Sequence, residues 1–144
     1  VGWGKIAIPE ESLHTSSLWI TFDEAATRGL DREAIAAGLA GIGHLARNLA
    51  PIYCLCDPGD VGADTQVRAP FTESPTVFLY DMVPGGVGLA EKLFEVRTPL
   101  IEACLALVRS CTCENGCPGC VGPQVEPNSP ARKAATLMLE RLVS

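Results

Sequence analysis

The chain has 144 residues, of which 47% are apolar and 19% charged, and its mean hydropathy is +0.22. That length suits one domain, residues 1–144, with room for a sizeable core, and no apolar run approaches the ~20 residues a bilayer span requires. A net charge of −6 with a pI near 4.8 argues against a generic nucleic-acid-binding surface.

Trp3–Ile8 and Leu18–Phe22 read as strands. In the second, Leu18, Ile20 and Phe22 share one face while Trp19 and Thr21 share the other. His14 falls in the polar connection between them, beside Thr15, Ser16 and Ser17, where a histidine is expected to be a surface hydrogen-bonder. Asp31 is placed to N-cap a helix that runs to about Ala50 and stops before Pro51. Ile35, Leu39, Ile42, Leu45 and Leu49 form its core stripe. Ala34, Ala37, Gly38 and Gly41 form a second stripe of small residues, which predicts close approach of another backbone and burial on two sides. His44 lies off the main stripe and is expected to be exposed.

Pro51–Cys56 is a short apolar run. In a strand Cys54 and Cys56 would share a face, but no second ligand pair follows nearby, and they read as buried thiols. Asp57-Pro58-Gly59-Asp60 is turn chemistry rather than a carboxylate pair for acid–base work. Residues 61–75 show no period and predict a mobile surface loop. Thr76–Asp81 is apolar on both faces and predicts an internal strand. Pro84-Gly85-Gly86-Val87-Gly88 then leads into a helix at Leu89. Strand, glycine-rich turn and helix together can cradle a phosphate. However, no Gly-Lys-Ser/Thr follows and the dinucleotide spacing is absent, so close strand–helix packing explains these glycines equally well. Thr98 as N-cap with Pro99 at the first helical position opens another helix, with Ile101, Cys104, Leu105 and Val108 buried. Ser129-Pro130 repeats that signal ahead of a final helix running to about Val143.

Between these last two helices stand Cys111, Cys113, Cys117 and Cys120, spaced C-x-C-x3-C-x2-C within ten residues. Four thiols so close can converge on one tetrahedral ion, and structural zinc sites fill all four positions with Cys or His. Gly116 and the Pro118-Gly119 pair supply the turns this needs. A redox pair at Cys117 and Cys120 is the rival from another class, although the segment after it has two prolines and no helical period. An iron–sulfur cluster usually takes wider spacing, and two disulfides in such tight loops would be strained. Seven cysteines with no secretory signal point to a reducing, cytoplasmic compartment. The site would be closed, so it predicts no metal catalysis, and zinc would fix the angle between two helices where hydrophobic core is scarce. The start at Val1 rather than Met predicts a piece of something longer. The expected fold is α+β, a small β-sheet packed with several helices and carrying a C-terminal four-cysteine zinc site.

One pattern runs through most of the chain. It comprises His14-Thr15 with Leu18-Trp19, and Cys56-Asp57-Pro58 with Asp60 and Gly62. Tyr80-Asp81 with Pro84-Gly85-Gly86 and Gly88-Leu89 follows, then Cys111, Cys113, Cys117-Pro118 and Cys120. In this the chain resembles the MrfA-type zinc-binding domain, found at the C-terminal end of bacterial DEAD/DEAH-box-like DNA helicases. The resemblance implies Zn²⁺ on Cys111, Cys113, Cys117 and Cys120, and a parent that is an ATP-dependent, 3′-to-5′ helicase acting in DNA repair. The chain carries no Gly-Lys-Ser/Thr phosphate loop and no Asp-Glu-x-His or Asp-Glu-Ala-Asp box. The implied role is therefore a non-catalytic accessory domain that packs against the motor domains of the same chain and shapes the DNA path.

Overall fold

The computed structural model describes residues 2–8, 13–68, 74–82, 88–111, 122 and 130–143. Among them β1 (Gly2–Ile8), β2 (Leu13–Thr21), β3 (Val61–Gln66) and β4 (Thr76–Asp81) form one antiparallel sheet in the order β1-β2-β4-β3. The α-helices among the described residues are α1 (Glu24–Thr27), α2 (Arg32–Cys54), α3 (Leu89–Glu95), α4 (Arg97–Ser110) and α5 (Ala131–Val143). The α+β expectation is met.

Alternation in β2 does what the sequence implies: Leu18, Ile20 and Phe22 are buried while Trp19 and Thr21 are half-exposed. β2 is longer than predicted, since the polar stretch from His14 to Ser17 is itself strand, paired with β1 so that His14 lies opposite Ala7. Ladder hydrogen bonds use only the backbone, and Ser17 turns its hydroxyl inward to donate to the Leu79 carbonyl at 3.1 Å. A polar residue is thus tolerated inside the sheet because its donor is satisfied.

The second correction concerns 61–75, predicted as loop. Val61–Gln66 is an edge strand of the sheet. The period was unreadable because Gly62 and Ala63 replace the usual β-branched residues. A Cβ on Gly62 would stand 2.5 Å from the Tyr80 ring and 2.7 Å from Met82 Sδ, so only glycine lets this edge close beneath the aromatic ring.

Asp31 caps α2 as expected, accepting the Ala34 N–H at 2.8 Å. Leu39, Ile42 and Leu45 of its stripe are buried. On the small-residue side a Cβ on Gly38 would meet Ala134 Cβ at 2.9 Å and Met138 Sδ at 3.0 Å, so α5 approaches there. α2 is therefore covered on two sides. It does not stop before Pro51 but continues through it to Cys54. Proline there forfeits one helical N–H near the helix end, a loss the last turn absorbs. The Pro51 carbonyl then receives the N–H of Leu55 and, at 3.3 Å, that of Cys56.

Asp57 to Asp60 is the turn predicted, with the Asp57 N–H donating to Asp60 Oδ2 at 3.1 Å. α4 begins at Arg97, slightly ahead of the Thr98–Pro99 signal. Arg97 lies over the Phe94 ring at 4.0 Å and donates to the Phe94 carbonyl at 2.6 Å, which carries the helix start back onto α3. No helix among the described residues is long and apolar enough to cross a membrane.

Candidate metal centre

α4 exists because Leu100, Ile101, Cys104, Leu105 and Val108 recur on one face, and all five are buried. That stripe brings the chain to Cys111 at a fixed height above the core. Cys111 leaves the helix with φ −67° and ψ 136°, its N–H donating to the Leu107 carbonyl at 3.1 Å. The residue is half-buried. That extended conformation ends the helix at Cys111.

The carbonyls at this end would be orphans. Arg132, in the first turn of α5, takes them: Nε donates to the Val108 carbonyl at 3.2 Å and Nη2 to that of Cys111. A planar guanidinium can serve two carbonyls at once, which an ammonium on a flexible stem does less well. Further along, Arg109 Nη2 pairs with Glu140 Oε1 at 3.1 Å, an exposed ion pair that adds little. Beneath both contacts Cys104, Val108, Ala131, Ala135, Met138 and Leu139 lie in one buried cluster. Hydrophobic core is therefore not scarce between α4 and α5, contrary to the expectation from sequence, and protein contacts set their relative position.

The chain returns at Gly122, which is buried with φ +87°. A Cβ there would stand 3.0 Å from Cγ and Nδ1 of His44 on α2. His44, expected to be exposed, is thus half-covered, with Nε2 at 2.9 Å from the Asn48 amide nitrogen. Cys113, Cys117 and Cys120 lie outside the described residues, as do Gly85 to Val87 and Ser129.

The other described thiols are poor donors. Burial pushes the Cys104 thiol up to about 12, and burial, with some help from Cys56, pushes Cys54 up to about 11. Cys56 is raised too, by burial first and then by the carboxylates of Asp60 and Asp57. Zinc binds thiolate, so these environments disfavour it. Cys54 also lies ten residues beyond His44 on α2, about 15 Å along the axis, away from where the loop returns. A soft sulfur at the mouth of a loop that carries three more is the donor chemistry zinc takes. Cys111 fits that role.

Among the described signature residues, Gly62, Asp60 and Asp81 are architectural. Gly62 sits under Tyr80, the Asp60 carbonyl receives the Met82 N–H at 2.9 Å, and Asp81 is fully buried opposite Val61. Two residues escaped the sequence reading. Arg132 gave no signal beyond its place in the first turn of a helix. Gly122, between the last cysteine and a proline, carries no local pattern that sets it apart.

Comparison with known proteins gives a consistent picture. The family model for the MrfA Zn-binding domain matches residues 42–121. The Bacillus subtilis ATP-dependent helicase YprA is 39% identical over 126 residues, covering 88% of this chain and 17% of the helicase. The Methanocaldococcus jannaschii protein MJ1572.1 is 32% identical over 83 residues, covering 56% of this chain and 74% of that protein. The crystal structure of the DUF1998 helicase MrfA bound to DNA superimposes with a TM-score of 0.79 at 36% identity, covering 99% of this chain and 19% of the helicase. The chain thus spans about a fifth of the length of the helicases it matches.

Proposed function

The chain belongs to the MrfA Zn-binding domain family, and from that premise we propose that it is the zinc-stapled, non-catalytic accessory domain of an ATP-dependent DNA repair helicase. Cys111, Cys113, Cys117 and Cys120 hold the ion. The observation that carries this reading is that the matched residues, 42–121, take in all four of these cysteines together with the part of α2 that receives the loop. Bound zinc supplies a four-armed cross-link and no open position for chemistry. The protein's own part is to present Cys111 from the fixed end of α4 and to hold both ends of the loop against α2 and α5.

Residues 1–144 act as a single unit in this reading. It packs against the motor domains of its own parent, works in the cytoplasm, and influences the DNA path through that parent. The DNA-bound relative supports such a partner. The acidic net charge of −6 favours shaping the path over gripping phosphates. Thiol–disulfide exchange at Cys117 and Cys120 draws no support from these relatives.

Metal content by mass spectrometry, with thiol titration before and after chelation, tests the assignment. About one zinc per chain, with the four cluster thiols released only on unfolding with chelator, is the expected result. A metal-free chain that reduces insulin disulfides would replace it with the redox reading.

A further inference from the structure

We infer that the last turn of α2 is a docking knob: Ile52 and Leu55 seat in an apolar pocket on the motor portion of the same parent chain. This rests on the accessory-domain reading above and adds to it the surface by which the domain is held.

The sequence around Pro51 favours an earlier stop, because proline has no N–H to give the helix. The helix nevertheless runs on to Cys54 and is closed by Leu55 at φ 54° and ψ 43°. That left-handed cap suits glycine or asparagine, and a leucine there strains against its own backbone. Within this turn Tyr53 and Cys54 pack inward against the core. Ile52 and Leu55 do not. They stay 66% and 91% exposed, the two most exposed large apolar side chains among the described residues. In the isolated chain the added turn therefore keeps two apolar groups in water and one of them in a strained conformation. A surface that covers them offsets that cost by removing their apolar area from solvent.

The size of the patch selects its occupant. Two side chains fall far short of the roughly 1,200 Å² of buried surface at which specific complexes of separate molecules begin. A second copy of the chain, or a free protein, would not stay on it. A partner in the same chain meets the patch at high effective concentration, and a small contact then suffices. The helicase relatives have room for such a partner, since the matched domain makes up 17% of one and 19% of another. The pocket that receives Ile52 and Leu55 accordingly belongs to the rest of the parent.

Hydroxyl-radical footprinting of the 144-residue chain and of the full-length parent tests the assignment. Ile52 and Leu55 should label in the 144-residue chain at every concentration and lose that labelling in the parent, with or without DNA. Leu55→Asp in the parent should bring Ile52 labelling back to the level of the 144-residue chain. The same change in the 144-residue chain should leave its melting temperature no lower, since aspartate tolerates the left-handed region better than leucine. If Leu55→Asp gives no soluble parent, labelling of the unsubstituted pair decides the matter. Equal labelling in both proteins overturns the docking assignment, as does protection that appears only with DNA or that grows with concentration of the 144-residue chain. In each of those cases a parent that holds zinc and hydrolyses ATP on DNA leaves the accessory-domain reading standing. A parent that does neither overturns both.

Discussion

The chain spells Cys-x-Cys twice where a long helix ends, at Cys54–Cys56 and at Cys111–Cys113, and the two helix ends are built in opposite ways. α2 closes on itself. Leu55 adopts φ 54° and ψ 43°, and the Pro51 carbonyl gathers the N–H groups of Leu55 and Cys56. α4 stays open, with Cys111 extended and the carbonyls of Val108 and Cys111 claimed by Arg132 from another helix. Closing locally satisfies the helix end but tucks its thiols into surroundings that keep them protonated. At the end of α4 a side chain from another helix does that work instead. On the zinc assignment proposed above, the same spacing would carry different chemistry according to which group satisfies the last carbonyls.

Swapping one thiol at each end is the hardest test of that contrast. Cys113→Ser should abolish stoichiometric zinc and lower the unfolding free energy by about 3 kcal/mol or more, because metal binding is coupled to ordering of the loop. Cys56→Ser should keep the metal in full; zinc loss from that variant would mean the ends had been assigned the wrong way round.

A smaller effect is expected at the side chain that holds α4 open. Arg132→Ala leaves two carbonyls without their donor and should cost about 2 kcal/mol in urea unfolding. Arg132→Lys should recover less than half of that, since an ammonium lacks the planar fork. Equal stability of Lys and Arg at this position would show that charge alone suffices.

The smallest change should come at the closed end, and with the opposite sign. Leu55 is 91% exposed in a left-handed conformation, so its side chain gives little packing in return for the strain. Leu55→Gly should stabilise the chain by up to about 1 kcal/mol. Destabilisation would reveal that the exposed leucine is held by something in the isolated chain.

Much of this was legible from residue patterns. The alternation of Leu18, Ile20 and Phe22, the Asp31 cap, the paired stripes of α2 and the buried face of α4 all follow from period and burial, and all appear where predicted. What escaped notice depends on tertiary partners. The edge strand at Val61–Gln66 is specified by Tyr80 sitting over Gly62, a relation across the sheet that no local window contains. α2 passed Pro51 because the next residues could cap it in a left-handed turn. At the metal centre, the sulfurs announced themselves by spacing, and the grouping on one ion remains a proposal. Arg132, which serves the last carbonyls of α4, was silent because it acts on a segment 21 or more positions away in sequence.

One seam in the sheet has a kinetic consequence. β1 pairs with its neighbour β2, and β3 with its neighbour β4, but the central β2–β4 ladder joins strands whose facing residues, such as Leu18 and Leu79, are 61 positions apart. Closing so large a loop is slow, so each hairpin half can form well before the two are sutured. During that interval an inner strand with nearly all its residues buried in the finished sheet stands bare along one side. Bare strand edges invite pairing with other molecules. Freshly synthesised chains should therefore be most prone to clump before this suture forms, and conditions that hasten the joining of the two halves should raise the soluble yield.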